Sequence, residues 1–309
     1  MTPNRSITGV AGSEQARPVA RLDSAKLRRR SLTADAWHRL RRNRLALVGL
    51  AIIVLMVLSA VAAPLLTPFS PVRMSPRDAF QPPGSAHPFG TDEYGRDLLS
   101  RVLYGSRVSL EVGLISVGIS LLVGTLLGLV SGYFLGPVDM IISRLMDVLF
   151  AFPAILLALV LIAILGQGID RVMIAIGLVY TPLFTRVCRG SVLAERGKAY
   201  VEAARMIGTS NFGILRRHIF RNVLAPLTIQ ASLCMSYAIL AEAALSFLGL
   251  GTQPPTPSWG IMLSKGRNLL NLSPWLSLWP GLAIMVTVFA FNVLGDGLRD
   301  ALDPQLKGR

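Results

Sequence analysis

The sequence is poor in cysteine, in histidine and in acidic residues. Its 309 residues include 2 Cys, 3 His and 17 Asp or Glu, against 31 Lys or Arg. With Cys188 and Cys234 alone, a disulfide or thiolate metal site is not expected. No metal-ligand cluster appears, and the three histidines fall outside the apolar stretches described below, which weighs against an enzyme embedded in a membrane. We therefore predict no catalytic residues and no metal site on this chain.

A nucleotide-binding motif is also missing. A P-loop needs two glycines at a fixed spacing, followed by Lys and Ser or Thr, to hold phosphates. Gly208 and Gly213 have the spacing, but Ile214 and Leu215 follow them. Any nucleotide on which the protein depends must therefore bind to another chain.

Hydrophobic residues are abundant instead. They make up 52% of the chain, charged residues make up 16%, and the mean hydropathy is +0.55, which is typical of a membrane protein. A helix of about 20 apolar residues crosses a bilayer. The sequence predicts an all-α integral membrane protein with six transmembrane helices, at 45–66, 112–136, 148–169, 172–185, 222–241 (an apolar stretch continuing towards Leu250) and 268–295.

The basic residues predict the orientation of these spans, since Lys and Arg stay on the cytoplasmic side. Most of the 31 basic residues lie on one side if both termini are cytoplasmic. The basic N-terminus then serves as a topology determinant that contacts anionic lipid headgroups, and nucleic acid is not an expected partner. The expected parts are a basic, partly disordered cytoplasmic tail (1–44), the first transmembrane helix (45–66), an external loop (67–107), a transmembrane domain (108–300) with a cytoplasmic loop at 189–221, and a cytoplasmic C-terminus (301–309).

Two stretches outside that cytoplasmic loop carry a recognisable pattern. In the external loop, His87, Asp92, Glu93 and Asp97 are hard-cation ligand types, but we favour a hydrogen-bonded loop with Arg96, Arg101 and Arg107 as counter-charges.

The second span has small residues every four positions, which let another helix approach closely, and we favour a partner helix within this chain. They are Ser116, Ser120, Gly124, Gly128 and Gly132.

The cytoplasmic loop 189–221 predicts a helix, a sharp turn and a second short helix running to about Phe220. Ala199, Ala203, Met206 and Ile207 share one helical face, and Glu202 and Arg205 are spaced to pair on the other. Ala203 and Ala204 have small side chains, so that a partner can approach the helix closely. Gly208 suits a left-handed turn, after which Thr209, Ser210 or Asn211 can cap the second helix.

The residues of this loop resemble those of a known family. Tyr200-Val-Glu-Ala-Ala-Arg-Met-Ile-Gly208, followed by Arg216-Arg-His-Ile-Phe-Arg-Asn222, is similar to the Glu-Ala-Ala loop of ABC importer permeases. Other motifs resemble the second permease subunit of dipeptide and oligopeptide importers, and the resemblance extends from about residue 40 to the C-terminus. They are His87-Pro-Phe-Gly-Thr-Asp92, Ala241-Glu-Ala-Ala-Leu-Ser-Phe-Leu-Gly-Leu-Gly251, Gln253-Pro-Pro-Thr-Pro-Ser-Trp-Gly260 and Leu294-Gly-Asp-Gly-Leu-Arg-Asp-Ala-Leu-Asp-Pro304. Arg221 stands where the family usually has proline.

The resemblance implies a type I ABC importer transmembrane domain in a bacterial cytoplasmic membrane. Its implied partners are a second permease, two ATPase subunits that bind ATP and Mg, and an extracytoplasmic substrate-binding protein. It also implies that the loop inserts into a groove of an ATPase subunit: Glu202 would anchor it, Ala203 and Ala204 would allow close approach, and Gly208 would make the turn. The implied substrates are dipeptides or oligopeptides, with glutathione or nickel complexes as alternatives.

Charged residues within the spans leave one question of function open. Glu242 lies in the fifth span, where a charge tends to be functional or paired. It either faces the translocation path or is hydrogen-bonded within the bundle, and we favour the second. Arg144 and Asp147 are predicted to lie near the cytoplasmic end of the third span, and their i, i+3 spacing leads us to expect an ion pair. A stand-alone secondary transporter would need its own coupling-ion site at midspan, and Glu242 is almost the only residue that the sequence offers there.

Overall fold

The computed structural model describes residues 40–302, and every regular element in that range is helical. The predictions for the N-terminal tail before residue 40 and for the last seven residues lie outside the described residues. An isolated bridge joins Thr91 and Asp97. The main helices are α1 (Arg44–Val61), α2 (Leu98–Phe134), α3 (Gly136–Phe150), α4 (Ala154–Leu165), α5 (Ile169–Arg196), α6 (Ala199–Met206), α7 (Phe220–Phe247), α8 (Trp259–Gly266) and α9 (Trp275–Leu302).

Five helices in the described range are long and apolar enough to cross a membrane, and a bent pair makes a sixth span. The five are α1, α2, α5, α9 and the 37-residue run Asn211–Phe247 that contains α7. The bent pair is α3 and α4, which meet at 96°. The prediction of an all-helical protein with six spans is therefore confirmed if this pair counts as one span.

Two predicted spans differ from the observed helices. The segment 148–169 is not one helix, because it breaks at 151–153, where Pro153 precedes α4. Proline lacks a backbone N–H and clashes with the preceding turn, which explains the break. The segment 172–185 belongs to the 28-residue helix α5, which contains Pro182. Arg186 consequently lies inside this helix and not at its edge.

The segment before α2 is shorter than the predicted loop 67–107. Asp97 caps α2 by accepting a hydrogen bond from the Ser100 N–H at 2.7 Å, so the helix begins at Leu98, nine residues before the predicted end of the loop. Arg107 was expected to be a counter-charge in the loop, and this prediction is wrong. It lies in α2, and its guanidinium donates to the backbone oxygens of Ala60 and Val61.

Asp92 and Asp97 of this segment are each paired with basic residues. Asp92 lies 2.6 Å from Arg96 and 3.5 Å from Arg101. Asp97 lies 2.9 Å from Nδ1 of His87. Across residues 40–302 no group of three or more His, Cys, Asp or Glu side chains is arranged to hold a metal ion. The contacts agree with a hydrogen-bonded loop.

Helices α2 and α5 pack along the predicted stripe of small residues. A Cβ on Gly124 would lie 2.5 Å from Cβ of Phe184, and one on Gly128 would lie 2.5 Å from Cβ of Cys188. The Ser120 hydroxyl donates to the Gly177 carbonyl of α5 at 2.7 Å. Such close backbone approach is what small residues permit in a membrane, where van der Waals packing drives association. The prediction that the stripe packs within this chain is confirmed.

Candidate functional site

Helix α6 and the turn after it lie between α5 and the run that leads into α7. The helix ends at Met206, and Gly208 has φ +81, the left-handed conformation that the sequence predicts. The Thr209 N–H donates to the Ala204 carbonyl at 3.0 Å, which closes the helix. After the turn, the Ser210 side chain accepts from the Gly213 N–H at 3.2 Å and caps the next helix. We call residues 199–213 the α6 hairpin.

The two faces of α6 have different environments. Val201 and Ala204 are buried in the main hydrophobic core of the chain. The outward face is exposed and includes Glu202, Ala203 and Arg205. Of the two alanines predicted to admit a partner, only Ala203 is available, because Ala204 packs against this chain.

The outward face also lacks the predicted ion pair. Within residues 40–302, the Glu202 carboxylate makes no hydrogen bond or salt bridge, so the expected Glu202–Arg205 pair does not form. Glu202 and Ala203 therefore remain exposed, and the carboxylate of Glu202 retains its full hydrogen-bonding capacity.

Three large apolar side chains extend this exposed surface. Met206 is 87% exposed, Ile207 is 82% exposed and Phe212 is 72% exposed. They cluster around Gly208, where an added Cβ would meet nothing within 4 Å. Apolar groups at such exposure mark an interaction surface when they are clustered. We call Met206, Ile207 and Phe212 the apolar tip.

The second helix of the α6 hairpin does not end before the membrane run. Asn211–Ile214 continues through a π-helical turn, Leu215–Ile219, into α7, so the predicted separate helix is wrong. Arg221 lies exposed in the first turn of α7 and the helix passes through it without a break. Arg216, Arg217 and Arg221 line a cleft of about 430 Å³ beside the hairpin.

Hydrogen bonds attach the base of the α6 hairpin to α5 and α7. The Tyr200 hydroxyl donates to Glu195 of α5. Nδ2 of Asn222, in α7, donates to the Tyr200 oxygen at 2.9 Å and to Oε2 of Glu195 at 3.2 Å. Burial, and then the hydrogen bond to Glu195, raises the pKa of the Tyr200 phenol. Sequence reasoning missed the contact of Glu195 with Asn222, because no local pattern indicates that these two residues meet.

A second attachment joins the hairpin to α2. The hydroxyl of Tyr133, near the end of α2, donates to Oδ1 of Asn211 at 2.8 Å. Nη1 of Arg196 donates to the Tyr133 carbonyl at 3.0 Å. The hairpin is therefore connected to α2, α5 and α7 by specific polar contacts, so its displacement would act on three helices.

Glu242 is buried in α7 at 1% exposure. Its Oε1 accepts from the Ser246 hydroxyl at 2.7 Å, and its Oε2 accepts from the Ser109 hydroxyl of α2 at 3.2 Å. The carboxylate is thus enclosed by polar partners between two helices of this chain. Glu242 is hydrogen-bonded within the bundle, and the structural role that we favoured stays a prediction.

The charged residues of α3 face α5. Asp147 lies 2.7 Å from Arg186 of α5. The sequence predicted that Asp147 pairs with Arg144, and this prediction is wrong. Asp139 accepts from Nε and Nη2 of Arg189 at 2.6 and 2.7 Å. Two ion pairs therefore join the bent span to α5.

This arrangement has the fold of ABC importer transmembrane domains. The chain is similar to the inward-facing MetNI methionine ABC transporter, with a TM-score of 0.55 and 15% identity over 66% of this chain and 96% of that one. It is also similar to an amino acid ABC transporter solved with histidines, with a TM-score of 0.50 and 14% identity over 64% of this chain and 92% of that one. At this identity the likeness concerns the fold.

The sequence comparisons define the family. Residues 124–308 match the binding-protein-dependent transport system inner membrane component model, and residues 31–83 match the N-terminal transmembrane domain of oligopeptide transport permease C. The chain belongs to the family of binding-protein-dependent transport system inner membrane components.

Curated relatives resemble the chain over most of its length. The dipeptide transport system permease protein DppC of Alkalihalophilus pseudofirmus is 47% identical, over 88% of this chain and 90% of the relative. The di/tripeptide permease DppC of Pseudomonas aeruginosa is 44% identical, over 88% and 92%. The glutathione transport system permease GsiD of Pectobacterium atrosepticum is 43% identical, over 88% and 91%.

Proposed function

We propose that this chain is a non-catalytic permease subunit of an ABC importer in a bacterial cytoplasmic membrane. Together with a second, homologous permease it forms the translocation path for dipeptides or oligopeptides. Two separate ATPase subunits bind ATP and Mg, and an extracytoplasmic protein delivers the substrate. Peptides are the substrate class because the relatives are named for dipeptides, di- and tripeptides and glutathione.

The observation that carries this proposal is the exposed surface of the α6 hairpin. Met206, Ile207 and Phe212 present apolar area beside Glu202, whose carboxylate has no partner within residues 40–302. An ATPase groove that buries the apolar tip would gain hydrophobic energy at about 25 cal/mol per Å². Glu202 would then accept hydrogen bonds from the ATPase, and Ala203 would let it approach closely.

The polar attachments suggest how ATP drives transport. When the two ATPases close around ATP, they carry the docked hairpin with them. The Tyr200–Glu195–Asn222 contacts pass this displacement to α5 and α7, and the Tyr133–Asn211 bond passes it to α2. The helices then change between outward-open and inward-open arrangements, which is alternating access. Hydrolysis of ATP resets the cycle.

Co-purification tests this assembly. The tagged chain should retain the second permease and the ATPase subunits after membrane extraction. Met206→Asp places a charge in the apolar tip and should remove the ATPases while the second permease remains bound. Gly197→Asp is the matched control, because Gly197 is exposed and an added Cβ meets nothing within 4 Å.

Two results would contradict the proposal. If Met206→Asp retained the ATPases as firmly as the wild type, the apolar tip would not be the docking surface. If the wild-type chain transported peptide alone, as a secondary transporter does, the ATPase dependence would be refuted.

A further inference from the structure

A charged cavity lies between α3 and α5, away from the α6 hairpin. Its volume is about 450 Å³, and its lining includes the Asp147–Arg186 pair with Ser143, Thr185 and Arg189. The Asp147 and Arg186 side chains are each 53% exposed, although they lie 2.7 Å apart. They form the most exposed ion pair between helices in the described part of the chain.

Arg186 lies level with an apolar part of α2. On α5, Arg186 stands between Phe184 and Cys188, which pack on Gly124 and Gly128 of α2. The segment 112–134 of α2 has no charged residue. Gly128 precedes the end of α2 by six residues, or about 9 Å at 1.5 Å per residue. Arg186 is therefore level with an apolar stretch and not with a helix end.

Charged groups at this depth do not face lipid without a large cost, and they usually face a water-filled cavity or another protein surface. The neighbouring pair supplies a comparison. Asp139 is only 15% exposed, and its carboxylate already accepts from Ser131, Ser143 and Arg189. Asp139 and Arg189 thus form a saturated structural link.

The Asp147–Arg186 pair is not saturated. The two side chains share a single hydrogen bond, from Nη2 of Arg186 to Oδ1 of Asp147. Within residues 40–302, Oδ2 of Asp147 accepts no hydrogen bond, and Nε and Nη1 of Arg186 donate none. Both groups can therefore bind a further partner without breaking their own bond.

The cavity also adjoins the break in the bent span. Helix α3 ends at Phe150, three residues after Asp147, and α4 leaves at 96°. The Arg186 guanidinium lies 4.0 Å from the centre of the Phe150 ring. In membrane proteins, non-helical backbone at this depth is found where it is buried in protein or lines a cavity, and broken helices mark substrate sites in transporters.

We propose that Asp147 and Arg186 line the translocation path and bind the charged ends of a peptide in transit. Asp147 accepts from the peptide ammonium group, and Arg186 donates to the peptide carboxylate. The two charges already neutralise each other, so binding is weak enough to let the peptide leave. This inference rests on the proposed function in peptide import.

Cysteine labelling tests whether the site faces water and substrate. Asp147→Cys and, separately, Arg186→Cys are placed in the assembled complex and treated with a charged, membrane-impermeant methanethiosulfonate. Leu145→Cys is the matched control, since Leu145 is 54% exposed on α3 but apolar. The wild type supplies the background, because Cys188 and Cys234 are buried.

We expect both variants to be labelled and the Leu145→Cys control to remain unlabelled. Each variant keeps the other charge of the pair to hold a dipeptide, so alanyl-alanine at saturating concentration should slow the labelling. Lack of labelling in both variants would mean that the pair is covered by lipid or by the second permease. That result, or labelling that the dipeptide does not slow, overturns the inference.

Neutral variants separate substrate binding from a structural role. Arg186→Gln should lower ATP-dependent uptake of alanyl-alanine about tenfold, since a hydrogen bond to a charged group is lost, while ATPase activity persists. The double variant Asp147→Asn with Arg186→Gln removes both charges. If the pair is only structural, the double variant restores uptake; if the pair binds peptide, uptake stays low.

The wild-type complex distinguishes failure of this inference from failure of the proposed function. If the wild-type complex imports no peptide in proteoliposomes with its binding protein, the proposed function itself fails. If the wild type imports alanyl-alanine but the site is not protected, only the inference fails.

Discussion

Gly208 determines the shape of the α6 hairpin through its own backbone. Its φ of +81 lies in the left-handed region, which costs a residue with a Cβ about 1–2 kcal/mol. The same turn brings Ile207 and Phe212 to one exposed surface. A backbone position that favours glycine therefore lies at the centre of the proposed docking surface.

Replacement of Gly208 should uncouple ATP hydrolysis from transport. We expect Gly208→Leu to lower peptide uptake per ATP hydrolysed, because the leucine both strains the turn and occupies the space left for a partner. Uptake and ATPase activity are measured together in proteoliposomes. Gly197→Ala is the control, since Gly197 has φ −89 and open surroundings. Full substrate-stimulated ATPase and uptake in Gly208→Leu would refute its assigned role.

Glu242 offers a test at the same scale, because its two possible roles predict different results. Glu242→Gln keeps an acceptor oxygen for one of Ser109 and Ser246, and its NH₂ group can donate to the hydroxyl oxygen of the other, so a structural role predicts near-normal stability and uptake. Glu242→Leu leaves two buried hydroxyls without that acceptor and should destabilise the complex by about 1–3 kcal/mol. Thermal unfolding is measured beside uptake, with the exposed Glu111→Gln as control. Loss of uptake in Glu242→Gln at unchanged stability and expression would favour a role in the path.

At the scale of elements, the α2–α5 interface holds the centre of the bundle together. The small residues of α2 contact α5 so closely that larger side chains at these positions of α2 would not fit between the two helices. The sequence indicates this contact through the four-residue spacing alone. The spacing did not predict which helix packs against the stripe, or the register of the contact. The register depends on which residues of α5 meet each glycine.

A single added methyl group should disturb this interface. The Cβ of Gly128→Ala would lie 2.5 Å from Cβ of Cys188 and 2.7 Å from the Thr185 carbonyl, so the helices must separate. We expect a loss of about 1–3 kcal/mol, as for other overpacked cores, observed as a lower Tm of the purified complex. Gly118→Ala on the same helix is the control, because its Cβ meets nothing within 4 Å. Equal Tm values for the two variants would show that the contact is not a stabilising one.

For the whole molecule, the orientation in the membrane follows from the proposed docking of the α6 hairpin. An ATPase works in the cytoplasm, so the hairpin and the basic residues of 189–221 belong there. With six spans, both termini are then on that side, as the basic residues also predict. In this proposed orientation the segment 67–97 would face the substrate-binding protein.

Reporter fusions test this orientation. Alkaline phosphatase is active only outside the cytoplasm, so a fusion after Leu302 should be inactive, and a fusion after the exposed Gly84 should be active. A fluorescent protein fused after Leu302 should fold and emit. The opposite pattern would place the α6 hairpin outside and would contradict the ATPase docking.

The sequence by itself determined the membrane class, the number of spans when the bent pair counts as one, the family motifs and the turn at Gly208. These features depend on local hydropathy or on the conformational preference of one residue, and both can be read without knowing the fold. The bend at Pro153 is partly local, since a proline disfavours a continuous helix, but the proline alone does not specify the angle of 96°.

Only the tertiary structure decided which side chains meet. It placed Ala204 in the core and Ala203 on the surface, although they are neighbours in sequence. It joined Glu242 to Ser109, Asp147 to Arg186, and Tyr200 to Asn222, over separations from 22 to 133 residues. The reason is physical: hydropathy selects the helices, but the register and rotation of packed helices select the contacts between them.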